Sequence, residues 1–205
     1  MARDLSSVVK QSRREGYALH PKAHKALIKR SSAPGVRQDG RRGRKPSQYA
    51  LQLREKQKVK RLYGLLERQF AKLMEESLQT KGQSGATLLE LLERRFDNAV
   101  YRSGLAVSRR AARQLVTHGH FMLNGRRVDI PSMRLKPGDG VSIRDHSRST
   151  DYFKRLDDVS PAPPAIPGWL SVDRKKTIFT VIGKPSRDDA EPDIKEQLIV
   201  EYYSR

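Results

Sequence analysis

Residues 108–129, SRRAARQLVTHGHFMLNGRRVD, carry Arg109, Arg110, Arg113, Arg126 and Arg127 with Gln114, His118, His120 and Asn124 among them. The chemistry open to such a set is recognition. A guanidinium fork matches phosphate geometry, and Asn, Gln and His can address ribose hydroxyls or base edges. Arg109 and Arg113 stand four apart, so on a helix they share a face. Like charges at that spacing destabilise the free helix by a few tenths of a kcal/mol, a cost that counter-charge from a partner would remove. The whole chain has a net charge of +19, which favours a polyanionic partner. Nucleic acid is the first candidate. An anionic membrane is second, and no membrane partner is expected, because no apolar run approaches the roughly 20 residues a span needs.

Bond-breaking chemistry finds little support. The chain has no cysteine, which excludes disulfides, thiolate nucleophiles and Cys-ligated zinc and fits a reducing cytosol. Ser, His and Asp are scattered without a nucleophile signature. GRRGRK (40–45) lacks the Walker spacing and a preceding strand. Asp97 lies on an amphipathic helix and reads as an intramolecular partner of a nearby Arg. His20 and His24 lack a third ligand and make a poor metal site. No enzyme activity, cofactor or metal is expected.

The elements that must position the cationic residues can be placed from pattern. Net charge is +10 over residues 1–50, +3 over 51–80, zero over 81–100, +7 over 101–150 and −1 over 151–205. Residues 1–46 show no sustained apolar period, and SSAPGVRQDGRRGRKP (31–46) reads as an extended basic arm. Val59, Leu62, Leu66, Phe70 and Leu73 recur at helical steps, predicting one helix over 48–78. Gly64 within it costs about 1 kcal/mol relative to Ala. Thr87 and Glu90 have the spacing of a capping box, and Leu88, Leu92, Phe96 and Ala99 continue a buried stripe to about Tyr101. Gly104 suits a helix C-terminus, Ser108 caps the next helix, and Gly119 stops it.

The period then falls to two. Phe121 and Leu123 lead into Asn124-Gly125, the favoured two-residue hairpin turn, and Val128 and Ile130 return. Lys136-Pro137-Gly138-Asp139 predicts a type II turn before a strand containing Val141 and Ile143. PAPPAIPG (161–168) is a stiff connector, with further strands expected near 177–182 and 197–203. The fold class is α+β: a helical lobe with a basic N-terminal arm, plus an inserted module of two short helices and a small, mainly antiparallel sheet. Two helices joined through Gly104 and Ser108 imitate a helix-turn-helix, so a duplex-DNA reader is the competing function. The continuation of positive charge into a hairpin and a long arm suits folded RNA better.

SRRAARQLVTHGHFMLNGRRVDIPSMRLKPGD (108–139) resembles the small RNA-binding module of the S-four family of small-subunit ribosomal proteins, which also occurs in pseudouridine synthases and tyrosyl-tRNA synthetases. A pseudouridine synthase would need a catalytic Asp in an Arg-Leu-Asp setting followed by a large sheet domain; ERRFDNAV offers Asp97, but on an amphipathic helix before the module, with no domain of adequate size behind it. RKPSQYALQLREKQKVKRLYGLLERQF (44–70), LLELLERRFDNAVYRSGLA (88–106) and EQLIVEYYSR (196–205) are similar to the ribosomal family itself.

The resemblance implies a two-lobed protein. Its parts are an arm over 1–46, a helical lobe over 47–93 with 196–205 packing back on it, the module over 94–157, and a connector with further strands over 158–195. It implies early, direct binding to small-subunit ribosomal RNA at a junction of several helices. It also implies neighbouring small-subunit proteins, a place beside the path by which messenger RNA enters, an influence on decoding accuracy, and in some members repression of their own message. The location implied is a ribosome, cytoplasmic or plastid. Many members hold zinc through N-terminal cysteines. Here VVKQSRREGYALHPKAHKALIKRSSAPG (8–35) has none, as in the zinc-free variants.

The candidate RNA-binding residues fall into two groups. In the arm and first helix they are Arg41, Arg42, Arg44, Lys45, Ser47, Gln48, Tyr49, Arg54, Lys56, Lys58, Lys60 and Arg61. In and beside the module they are Arg102, Ser108, Arg109, Arg110, Arg113, Gln114, His118, His120, Asn124, Gly125, Arg126, Arg127, Arg134 and Lys136. Losing Arg109 and Arg113 together is expected to weaken binding by about 2 kcal/mol or more.

Overall fold

A computed structural model describes residues 4–35, 45–163 and 165–204. Two compact units divide the chain: one holds residues up to Leu88 and from Asp193 onward, the other Leu89–Pro192.

The first unit is helical. The N-terminal segment departs from the expected extended arm. Val8–Glu15 forms α1, a single 3-10 turn spans Pro21–Ala23, and α2 covers His24–Lys29. Burial of Ala23, Gln11 and Ser12 supplies what the apolar count did not, because α1 packs on α3. The 36–44 part of the expected arm lies outside the described residues.

The helix expected over 48–78 is two: α3 (Gln48–Leu62) and α4 (Glu67–Gln79). Gly64 adopts φ 67°, and the Leu65 amide donates back to the Lys60 carbonyl at 2.9 Å. This is a left-handed C-terminal stop. The apolar period survives the break because Val59, Phe70 and Met74 are all fully buried.

Next comes α5 (Ser84–Glu93), which starts three residues before Thr87. The Thr87 hydroxyl therefore donates to the Gln83 carbonyl at 3.1 Å and is no N-cap. The C-terminal residues expected as a strand over 197–203 form helix α11 (Glu196–Tyr203). Ile199 is fully buried and α11 docks along α3. Its β-branched and aromatic content suggested a strand, but packing against a helix overrode that preference. Gly85 lets the start of α5 lie close to α11, since a Cβ there would lie 2.6 Å from Glu196 Cγ.

The second unit is α+β. It begins with the last residues of α5, and α6 (Phe96–Arg102) follows as a separate helix, yet the predicted stripe of Leu88, Leu92, Phe96 and Ala99 stays fully buried across the break. Residues 131–135 explain the break by taking over the backbone there. The Phe96 amide donates to the Met133 carbonyl at 2.8 Å, and the Leu135 amide to the Arg94 carbonyl at 2.9 Å. Then follow α7 (Arg109–Thr117), β1 (Phe121–Leu123), β2 (Arg126–Val128) and β3 (Gly140–Ile143). Short helices α8 (Asp145–Arg148), α9 (Asp151–Lys154) and α10 (Leu156–Val159) precede β4 (Leu170–Asp173) and β5 (Ile178–Val181).

The sheet order is β2-β1-β3-β5-β4, antiparallel throughout. Asn124 at φ 48° and Gly125 at φ 79° make the primed hairpin turn, and Gly138 at φ 92° makes the type II turn. Ile130 lies beyond β2 and is exposed, contrary to its expected strand position. Phe96, Val100, Leu105, Val116, Phe121, Leu135, Ile143 and Phe179 fill one core that fixes α6 and α7 against the sheet.

Candidate nucleic-acid interface

Helix α7 begins where expected. Ser108 Oγ accepts from the Ala111 amide at 3.2 Å, and Gly119 ends the helix at φ 71°. Ser108 is buried, so its role is this cap. With Ala112 and Val116 inward, the remaining residues divide into two stripes. Arg110, Gln114 and His118, four apart, are exposed, whereas Arg109 and Arg113 lie on a partly buried flank.

That flank corrects an expectation, because the counter-charge for Arg109 and Arg113 comes from within the chain. Arg109 donates through Nε to Asn98 Oδ1 at 2.9 Å and through Nη2 to Glu191 Oε1 at 3.0 Å, with its guanidinium 4.6 Å from the Tyr101 ring centre. Arg102 donates through Nε and Nη2 to the buried Glu93 carboxylate and lies 3.5 Å from Glu191. Burial would raise the Glu191 carboxyl, but Arg109 and Arg102 outweigh it and hold it below the usual carboxylate range. Arg113 approaches Asp97 at 3.7 Å, while Arg95 grips the same carboxylate at 2.9 Å in a buried pair. Asp97 is thus an intramolecular partner, as its helical setting suggested.

The hairpin is used unevenly. Asn124 is exposed but bonded within the chain: its Nδ2 donates to Asp139 Oδ1, and its Oδ1 accepts from the Gly140 amide, each at 2.9 Å. Arg126, Arg127 and Gly125 are exposed, and a Cβ on Gly119 would lie 2.5 Å from Arg127 Nε. The Arg127 guanidinium therefore covers the end of α7, next in sequence to His118. His120 Nδ1 meets Ser147 Oγ at 3.0 Å. Burial, then His118 and Arg144, push its imidazole below its ordinary value. Arg134 is half-buried and pairs through its backbone with Arg95, while Lys136 is exposed.

Arg144 was not foreseen. Its Nη1 donates to the Gly119 carbonyl at 3.2 Å, placing a further cation beside the same helix end. The signal was present: the alternation that buries Val141 and Ile143 turns Arg144 to the other face.

In the helical unit, most candidates serve the fold. Ser47 Oγ caps α3 by accepting from the Ala50 amide at 3.3 Å. Lys56 is buried, donates to Glu67 at 2.7 Å and lies 4.6 Å from the Tyr202 ring centre. Lys60 takes the other Glu67 oxygen at 2.8 Å, and Tyr203 donates to Glu67 at 2.9 Å. Burial would raise Glu67, but these bonds prevail and hold its carboxyl at about 2. Lys58 binds Glu55 and the Asp193 carbonyl. Arg54 and Arg61 both reach the buried carboxylate of Glu15, whose burial nevertheless outweighs them and pushes its carboxyl up. Lys45, Gln48 and Tyr49 are exposed at the start of α3. Arg41, Arg42 and Arg44 lie outside the described residues.

His20 Nδ1 accepts from the Lys22 amide, and among the described residues no three acidic or histidine side chains gather as a metal site. No helix among them is long and apolar enough to cross a membrane.

The geometry is that of a compact cationic edge on an antiparallel sheet module. Residues 3–93 match the ribosomal protein S4/S9 N-terminal domain, and residues 94–141 match the S4 domain. The small ribosomal subunit protein uS4 of Clostridioides difficile is 48% identical over 211 residues, with 100% of each chain covered. The chain belongs to the uS4 family. The uS4 proteins of Chlorobium phaeobacteroides and Chloroflexus aurantiacus are each 48% identical over 206 residues, again with 100% of both chains covered. Members of the uS4 family are ribosomal structural proteins and not enzymes. The match over 94–141 contains α6, α7, β1, β2 and most of the cationic edge.

Proposed function

We propose that this chain is a structural constituent of the small ribosomal subunit that binds small-subunit ribosomal RNA through the exposed edge of its S4 domain. One observation carries the reading. After Arg102, Arg109 and Arg113 are satisfied internally, Arg110, Gln114, His118, Arg126, Arg127 and Lys136 still line solvent on one helix, one hairpin and one turn. Phosphates are gripped by the guanidinium forks, and Gln114 and His118 address sugar or base groups. Lys45, Gln48 and Tyr49 give the helical unit a smaller contact set, with Tyr49 suited to stacking on an unpaired base.

On this reading the two units hold separate RNA elements, which suits a protein that organises a helical junction as the subunit assembles. Neighbouring small-subunit proteins, the incoming messenger RNA, decoding accuracy and repression of the chain's own message belong to the same proposal through family membership. So does residence in the ribosome.

Competition binding tests it. Labelled small-subunit RNA should hold the protein against an equal strand concentration of B-form DNA, and crosslinking in cells should recover that RNA. Displacement by the DNA would support the helix-turn-helix alternative and overturn the reading.

A further inference from the structure

We propose that Arg102 and Arg109 form a phosphate seat that Glu191 fills in the free protein, making the loop between β5 and α11 a built-in competitor of RNA. The inference rests on the RNA-binding reading above. Two guanidiniums from successive helices converge on a single oxygen, Glu191 Oε1, at 3.5 and 3.0 Å. Each is held from behind by other groups. Glu93, with no side-chain exposure, takes two bonds from Arg102, while Asn98 and the Tyr101 ring fix Arg109. The pair is therefore already aimed at an oxyanion before any ligand arrives, which lowers the ordering cost of binding one.

The two carboxylates differ in kind. Glu93 belongs to the helical framework and accepts from Asn98 as well. Glu191 comes from an irregular loop, with its side chain 22% exposed, and closes the seat from the solvent side. A phosphate oxygen carries greater charge and can take the same geometry, so it can replace the Glu191 carboxylate between the two guanidiniums. The like charges of Arg102 and Arg109 are thereby offset by a carboxylate that can leave.

The test uses the full chain, with inorganic phosphate and small-subunit ribosomal RNA as separate probes. Phosphate should raise the melting temperature of Glu191→Gln more than that of the wild type. The variant should bind the RNA on the order of tenfold more tightly. Its log–log salt slope should steepen by about 0.7–0.9, the contribution of one more neutralised phosphate. Asp188→Asn makes the same change of net charge on the same loop and should alter neither quantity. Adding Arg109→Gln to Glu191→Gln should abolish the gain.

Unchanged or weaker RNA binding by Glu191→Gln overturns the inference. So does an equal gain in Asp188→Asn, a gain that survives Arg109→Gln, or a lowered melting temperature that phosphate does not restore. A wild-type chain that ignores the RNA would sink the functional reading instead, while the phosphate melts would still report on the seat.

Discussion

The residue types that suggested RNA recognition divide, on folding, into those that build the protein and those left to meet a partner. Arg95, Arg102, Arg109, Arg113, Lys56 and Lys60 are paired with Asp97, Glu93, Glu191 and Glu67. Composition could not reveal this, because the acidic partners lie as far as 82 residues away in sequence. Asp97 gives a direct check. Its carboxylate is buried between Arg95 and Arg113, so Asp97→Ala leaves buried positive charge and should cost about 3 kcal/mol in denaturant unfolding.

Glu67 makes a pH prediction. Its carboxyl is held at about 2, below the ordinary 4.5, so its contribution is complete above 4.5 and lost as pH falls towards 2. Glu67→Gln should flatten the wild-type decline in stability across that window, read by unfolding at stepped pH.

At the scale of elements, local turn chemistry was legible and tertiary substitution was not. Asn124-Gly125, Lys136–Asp139, the Ser108 cap and the Gly119 stop could be read because each depends on residues within a few positions. The break between α5 and α6 could not, since its cause is the backbone of residues 131–135. Nor could the helical form of α11, decided by docking on α3. The short helices α8–α10, four residues each, carry too few residues for a helical period to declare itself, whereas β4 shows the Leu170-x-Val172 alternation and was not foreseen.

Two glycines separate conformational from steric cost. Gly64→Ala places a side chain at φ 67° in open space and should cost about 1 kcal/mol. Gly104→Ala adds a Cβ 2.5 Å from Pro163 Cδ and 2.8 Å from Arg174 Nη1, at φ 75°. It should cost at least twice as much, measured by thermal melts of both variants.

Across the whole molecule, a net charge of +19 was the strongest single statement in the sequence, and it named the class of partner before any element was known. What it could not name was which cations remain accessible once both units have folded. The full-length uS4 relatives fix the family, and in the proposed reading the exposed set on α7, the hairpin and the Lys136 turn supplies the contact chemistry.

The most direct measurement compares wild type with Arg110→Ala, Arg126→Ala and Arg127→Ala combined, titrated with small-subunit ribosomal RNA across a salt series. The account predicts at least tenfold weaker binding and a log–log slope shallower by about 2–3, with the fold retained by circular dichroism. Wild-type affinity and slope in that triple variant would contradict it.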